Sequence, residues 1–265
     1  MLRRLSLALA LCALPAVLAG ACGDDDDAAG APQATTGGAQ ATVAGATAAQ
    51  PASTAAPTLD GPASKYSVLL ADIGLNAYIT DLKKTFVLTP KNYGASAGFD
   101  SAEKGEALLT SWGYLGGYET AMNPEGLQTA VLNGAYYVYI ETHLFATTDG
   151  AHKAYDYFQK RIAAMGVAQP VSAEPIGNES GAWRAVQGKI GSSNVSQAFH
   201  QIVFRRGNLV AIVQTVGAEP FMKVDRVTAI AMIADGKALG QREAIAPTPI
   251  VTPPAVAATP TTPAR

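Results

Sequence analysis

The sequence predicts an α+β domain in which antiparallel meander sheets carry about three helices packed on one face. Turn sequences separate runs of β-forming residues, and segments with a 3.6-residue hydrophobic period lie between those runs. The predicted order is strand, helix, meander, helix, strands, helix. Because helix-then-meander occurs twice, two similar halves are an alternative, although no convincing residue repeat supports duplication.

The first well-marked helix is predicted from Asp100 to about Trp112, since Asp100 and Glu103 resemble a capping box. A three-stranded meander is predicted next, over 116–122, 127–132 and 135–146. Its first turn is Asn123-Pro124-Glu125-Gly126, which suits a type I turn. Its second turn is Asn133-Gly134, a strong hairpin signal.

A second helix is predicted over 149–165, with Thr147 or Thr148 as its cap and Gly166 at its end. Residues 197–204 and 209–216 are predicted to form a hairpin around Arg206-Gly207-Asn208, with 183–187 as a candidate neighbouring strand. The last helix is predicted from Pro220 to Asp235, because proline suits the first helical position and Gly236 follows the end.

Composition divides the chain into four parts. Residues 1–21 are predicted to be a signal peptide, 22–63 a lipidated cysteine and a disordered tether rich in small residues, 64–242 a single domain and 243–265 a disordered tail rich in Pro and Thr. The domain has 16 Lys+Arg and 15 Asp+Glu, a net charge of about +1. Without a basic cluster, nucleic acid is not an expected partner.

The N-terminus has the order of a secretory signal. Arg3 and Arg4 precede an apolar run from Leu5 to Leu18, and small residues follow. The uncharged stretch to Ala21 would span roughly 25 Å as a helix, which is short of the roughly 30 Å of a hydrocarbon core. A cleaved signal is therefore favoured over a membrane span. The two arginines leave twin-arginine export open beside general secretion.

Cys22 follows Leu18-Ala19-Gly20-Ala21, a stretch that resembles the lipobox of bacterial lipoproteins. Ordinary cleavage after Ala19-Gly20-Ala21 is the alternative, and it would give a secreted protein. Unmodified, Cys22 would be a lone free thiol outside the cell, which favours the lipoprotein. The resemblance implies acylation at Cys22, a membrane anchor and a domain that faces outside the cytoplasm.

The strand over 135–146 carries the best candidate ligand face. Because side chains alternate along a strand, one face of it is apolar. Aromatic groups, a carboxylate and an imidazole share the other face, a mixture typical of ligand sites. The alternative is an amphipathic sheet face covered by a loop. The candidate ligand-binding residues are Tyr137, Tyr139, Glu141, His143 and Phe145.

Metal, hydrolase and phosphate-binding sites have weaker support in the sequence. No motif fixes a metal site, because His143, His152 and His200 lie outside the usual ligand spacings. No Gly-x-Ser-x-Gly elbow or phosphate-binding loop is present. We therefore expect no cofactor, no metal and no catalytic residue. The leading hypothesis is a membrane-anchored, non-enzymatic module that binds a small molecule or a protein of the cell envelope. An extracytoplasmic hydrolase and a structural envelope protein without a pocket are the alternatives.

Overall fold

The computed structural model describes residues 58–75, 77–96 and 98–243. The predicted signal peptide and Cys22 lie outside the described residues, as do most of the predicted tether and the C-terminal tail. Leu59, within the predicted tether, is hydrogen-bonded to the domain: its N–H donates to Asn208 Oδ1 at 2.7 Å.

Eight strands form one antiparallel sheet in the described part of the chain. Their order is β1-β3-β4-β8-β7-β6-β5, with β2 also paired to β3. The strands are β1 Tyr78–Thr80, β2 Phe86–Leu88, β3 Tyr114–Pro124, β4 Tyr136–Phe145, β5 Gln169–Pro170, β6 Glu179–Lys189, β7 Ser196–Arg206 and β8 Leu209–Ala218.

Six α-helices accompany the sheet within the described residues, together with short 3₁₀ turns at Ala63–Tyr66, Leu82–Lys84 and Glu219–Phe221. The α-helices are α1 Leu70–Ile73, α2 Pro90–Gly94, α3 Ala102–Ser111, α4 Leu127–Leu132, α5 Thr148–Ala164 and α6 Val224–Ala238. None of the helices in the described ranges has the length and hydropathy that a membrane span requires.

The predicted α+β class and antiparallel sheet are confirmed, but the helices do not all pack on one face. Val227, Ile230 and other apolar residues of α6 pack against Ile140 and Ile202 on one side, which we call the α6 face. Phe158 and Ile162 of α5 pack with Val203 on the other, which we call the α5 face. The central strands are apolar on both faces, so both need a cover.

The prediction of a middle strand in the meander is wrong. Residues 127–132 form helix α4, which begins after Gly126 and ends at Asn133-Gly134. The Asn133 N–H donates to the carbonyls of Thr129 and Ala130, so this pair ends a helix and makes no hairpin. Val131 packs with Ile190 and Ala218 at the end of the sheet.

The later elements were predicted more closely. The β7–β8 hairpin turns at Gly207-Asn208, where Gly207 has a φ of 59°, a conformation that favours glycine. Helix α5 has Thr147 as its cap, since the Thr147 hydroxyl accepts from Gly150 N–H. The predicted bounds of α6 are shifted, because Pro220 belongs to the preceding 3₁₀ turn and α6 begins at Val224.

Candidate functional site

Glu141 and His143 form the polar centre of the candidate face. Both lie on β4, both are buried, and His143 Nε2 is 3.2 Å from Glu141 Oε2. The Tyr93 hydroxyl donates to the same oxygen at 2.9 Å. The Tyr114 hydroxyl lies 3.2 Å from His143 Nδ1. These contacts connect three elements, α2, β3 and β4, through one chain of hydrogen bonds.

The tautomer of His143 that carries its proton on Nε2 satisfies this chain. In that tautomer, Nε2–H donates to Glu141, and Nδ1 accepts from the Tyr114 hydroxyl. Burial and then the negative charge of Glu141 raise the pKa of Tyr93 well above its ordinary value. The same two causes, in the same order, raise the pKa of Tyr114. Both hydroxyls therefore keep their protons and remain donors at neutral pH.

Tyr93 reaches Glu141 because α2 packs closely on α3. A β-carbon added to Gly105 of α3 would overlap Gly94 O, and one added to Gly94 would lie 2.5 Å from Glu106 N. The Tyr93 ring then lies 4.5 Å from the His143 ring, measured between centroids. Two glycines thus set the position of a tyrosine that closes one side of the site.

A narrow pocket, which we call the α5 pocket, opens beside this centre. Its walls are α5, the segment after α2 and the α5 face of the sheet. The cavity volume is about 40 Å³. One water molecule needs roughly 10–15 Å³ on a comparable measure, so the cavity has room for about three waters. Groups about as wide as a methylene chain fit this space.

The α5 pocket has an apolar wall and a polar wall, and Arg161 of α5 also lines it. Phe158 and Ile162 of α5, Met165 just after it and Ile212 of β8 form the apolar wall. The polar wall is formed by side chains of β4, β7 and β8, namely Tyr139, Glu141, Gln201 and Gln214. Such a combination of apolar walls and a few convergent polar groups is typical of small-molecule sites.

The structure separates the five predicted site residues. Tyr139 and Glu141 line the α5 pocket, and His143 lies behind Glu141. Phe145 is buried in the apolar cluster with Phe158. Tyr137 packs against other apolar residues of the sheet. The ligand-binding role of all five remains a prediction.

Sequence reasoning missed Gln214, the most unusual polar residue of the pocket. It is 4% exposed, and no hydrogen-bond donor reaches its Oε1 within the described residues. Its Nε2 lies 3.5 Å from Gln201 Oε1. A signal was available, since Gln214 is the one glutamine in the apolar β8 run LVAIVQTV. A buried amide oxygen without a partner is unfavourable unless a ligand or water satisfies it.

Glu119 was missed as well. It lies directly opposite Glu141 in the β3–β4 register and is 8% exposed. Two buried carboxyl side chains thus lie on neighbouring strands of the α5 face.

The other histidines do not join the site. His152 is exposed on α5 and lies 3.0 Å from Glu179. His200 is buried on β7, on the α6 face, and its Nδ1 has no hydrogen-bond partner in the described ranges. A search of the described residues found no group of three or more His, Cys, Asp or Glu side chains arranged to hold a metal ion.

Comparison with known proteins gives limited information. No protein family matches the chain, and no curated protein matches it. Among solved structures, the extracellular domain of PknH from Mycobacterium tuberculosis is similar, with 14% sequence identity and a TM-score of 0.37. The similarity covers 67% of this chain and 94% of that chain. At that identity and TM-score, it assigns neither a function nor a site to this chain.

Proposed function

We propose that the chain is a bacterial lipoprotein, anchored through Cys22, whose α+β domain is a non-enzymatic small-molecule binding module outside the cytoplasm. The anchor is supported by the charged, apolar and small-residue order before Cys22. The binding role rests on the α5 pocket, and above all on the buried Gln214 Oε1, which has no partner among the described residues.

Two other functions receive less support. A structural envelope protein requires no concave site, whereas the α5 pocket is concave and partly polar. A hydrolase requires an accessible histidine beside a nucleophile or carboxylate. His143 does meet Glu141, but its side chain is fully buried behind it and does not line the pocket. The geometry therefore favours binding.

The anchor is tested by labelling the protein with a fatty acid in a bacterial host. The wild-type chain is expected to take up the label and to fractionate with membranes. Cys22→Ala is expected to remove the label, because the thiol is the attachment point, whereas the matched variant Cys12→Ala should keep it. Equal labelling of the wild type and Cys22→Ala would disprove anchoring at this cysteine.

The binding role is tested by nuclear magnetic resonance titration of the processed chain, residues 22–265. Four probes with an unbranched six-carbon chain are used: n-hexylamine, n-hexanol, hexanoate and n-hexyltrimethylammonium. At least one should shift the signals of residues around the α5 pocket. Ser96→Trp, which fills the pocket wall, should abolish those shifts. Ser192→Trp, at an exposed turn, should not. No binding by any probe, or binding unaffected by Ser96→Trp, would refute the proposal.

A further inference from the structure

We infer that the α5 pocket selects a slender aminoalkyl ligand and binds its primary ammonium group between Glu141 and Gln214. The inference rests on the proposed function, because it requires the pocket to be a ligand site. It adds the chemical class of the ligand, which follows from the hydrogen-bonding groups of the wall, from its charge and from the width of the cavity.

Glu141 offers an acceptor to the pocket. Both of its hydrogen bonds, from Tyr93 and from His143, end on Oε2. The side chain lines the pocket and keeps 12% of its surface exposed. Within the described residues, Oε1 is therefore left to accept from a group inside the pocket. A carboxylate has two acceptor oxygens, and only one of them is used here.

Gln214 offers the second acceptor. Its Oε1 is buried without a partner in the described ranges, while its amide nitrogen faces Gln201. Glu141 and Gln214 are diagonal neighbours on the paired strands β4 and β8. Their β-carbons are then roughly 7–8 Å apart. One donor group placed between the two side chains can bond to both.

The chemistry of these acceptors favours an ammonium group. A primary ammonium has three N–H donors and a positive charge, whereas a hydroxyl has a single donor. A carboxylate ligand would be repelled by Glu141, which lines the pocket. Arg161 also lines the pocket, but its guanidinium is 3.0 Å from Asp100 Oδ1, and this ion pair offsets its charge. The trimethylammonium group has no N–H donor.

The apolar wall and the narrow cavity select the rest of the ligand. Phe158, Ile162, Met165 and Ile212 offer hydrocarbon surface to a chain of methylene groups. The space suffices for about three waters and so for the ammonium group and a few methylenes in single file. A ligand of this class is the aminoalkyl end of a larger molecule or a free alkylamine.

The test compares the same four probes on the processed chain at pH 7, where n-hexylamine is cationic. We expect n-hexylamine to bind about tenfold more tightly than n-hexanol, the size of effect that one charge-assisted hydrogen bond gives. Hexanoate and n-hexyltrimethylammonium should bind more weakly than n-hexylamine. Binding of n-hexanol or hexanoate as tight as that of n-hexylamine would overturn the inference.

Two substitutions locate the selectivity. Glu141→Gln should abolish the preference for n-hexylamine over n-hexanol, while Glu125→Gln, at an exposed position outside the pocket, should preserve it. If Glu141→Gln does not fold, Gln214→Leu provides the second variant, and it should weaken n-hexylamine binding several-fold. A preference unchanged in Gln214→Leu or in folded Glu141→Gln would overturn the inference.

The outcomes separate the inference from the proposed function. If n-hexanol binds as well as n-hexylamine and Ser96→Trp blocks both, the pocket is a ligand site and only the ligand class is wrong. If none of the four probes binds, the proposed function fails, and the inference fails with it.

Discussion

His200 is a buried imidazole whose surroundings disfavour its charged form. Its side chain lies on the α6 face of β7, opposite Thr215 of β8, and its Nδ1 has no partner in the part of the chain described. Burial, and next the positive charge of Arg184, lower the pKa of His200 below its ordinary value of 6.5. The unfolded chain therefore binds a proton here at a higher pH than the native domain does.

The stability of the domain should accordingly depend on His200 at mildly acidic pH. The stabilisation from this lowered pKa is present above pH 6.5 and is lost as the pH falls from 6.5 toward the native pKa. We expect His200→Gln to lose less stability than the wild type between pH 7.5 and pH 5.5, as measured by urea unfolding at both values.

His152→Gln is the matched control, because His152 is exposed on α5. It should leave the contribution of His200 to the pH dependence in place. If His200→Gln and the wild type lose the same free energy of unfolding over this pH range, His200 does not carry the effect.

The sequence predicts the position of some residues of the pocket and not of others. Glu141 and Tyr139 share a face because strand alternation requires it, so their proximity was predictable. The proximity of Tyr93 to Glu141 was not predictable, because the Tyr93 hydroxyl reaches Glu141 from a helix 48 residues upstream. Only the tertiary packing of α2 on the sheet brings the two together. The absence of a partner for Gln214 Oε1 among the described residues likewise follows from tertiary packing, which the sequence does not show.

At the level of elements, the close contact of α2 with α3 positions Tyr93. Gly105 lies within α3, although glycine is a poor helix former. The structure explains the glycine, because any side chain there would collide with Gly94 of α2. Glycine lowers the intrinsic stability of the helix here, but it allows the backbones of α2 and α3 to approach each other closely.

Gly105→Ala should therefore destabilise the domain, by about 1–3 kcal/mol, because the added methyl group forces the two helices apart. In an uncrowded helix the same change would stabilise by roughly 0.5–1 kcal/mol. The sign of the change in the free energy of urea unfolding thus distinguishes the two cases. The substitution should also weaken n-hexylamine binding, because Tyr93 moves with α2.

Gly236→Ala in α6 is the matched control. A β-carbon at Gly236 would meet only the flexible side chain of Arg242, at 3.4 Å. We expect this variant to be neutral or slightly more stable than the wild type. An increase in stability for Gly105→Ala as well would show that the α2–α3 contact is not tight.

Elements with a long, regular pattern were predicted well, whereas short ones depended on context. Helix α5 and the β7–β8 hairpin each combine a clear periodicity with a recognisable cap or turn. The six residues of α4 have neither a clear periodicity nor a recognisable cap. Turn sequences on both sides suggested a strand there, but β4 already pairs with β3 on one side and with β8 on the other. A sequence alone does not show which strands pair with each other in a sheet.

The whole domain is a sheet covered on both faces, and its first described residues are hydrogen-bonded to the β7–β8 turn. Leu59 exchanges hydrogen bonds with Asn208 in the β7–β8 turn, at 2.7 and 3.1 Å. The Tyr66 hydroxyl donates to Asp60 O at 2.7 Å. The residues just before Ser64 thus contribute contacts that composition did not indicate.

We therefore expect the fragment 58–243 to unfold with the same midpoint as the processed chain 22–265. The fragment 64–243 should be less stable by about 1–3 kcal/mol, since it loses the partners of Asn208 and Tyr66. Thermal and urea unfolding of the three chains measure this. Equal stability of the two fragments would show that 58–63 add nothing to the domain.

The sheet ends in short strands on both sides. On one side β1 and β2 have three residues each, and on the other β5 has two, one of which is Pro170 without an N–H. Long, regular edge strands are the templates on which chains join into aggregates. Chains crowded at high local concentration therefore find little backbone to pair with on β1, β2 and β5 themselves.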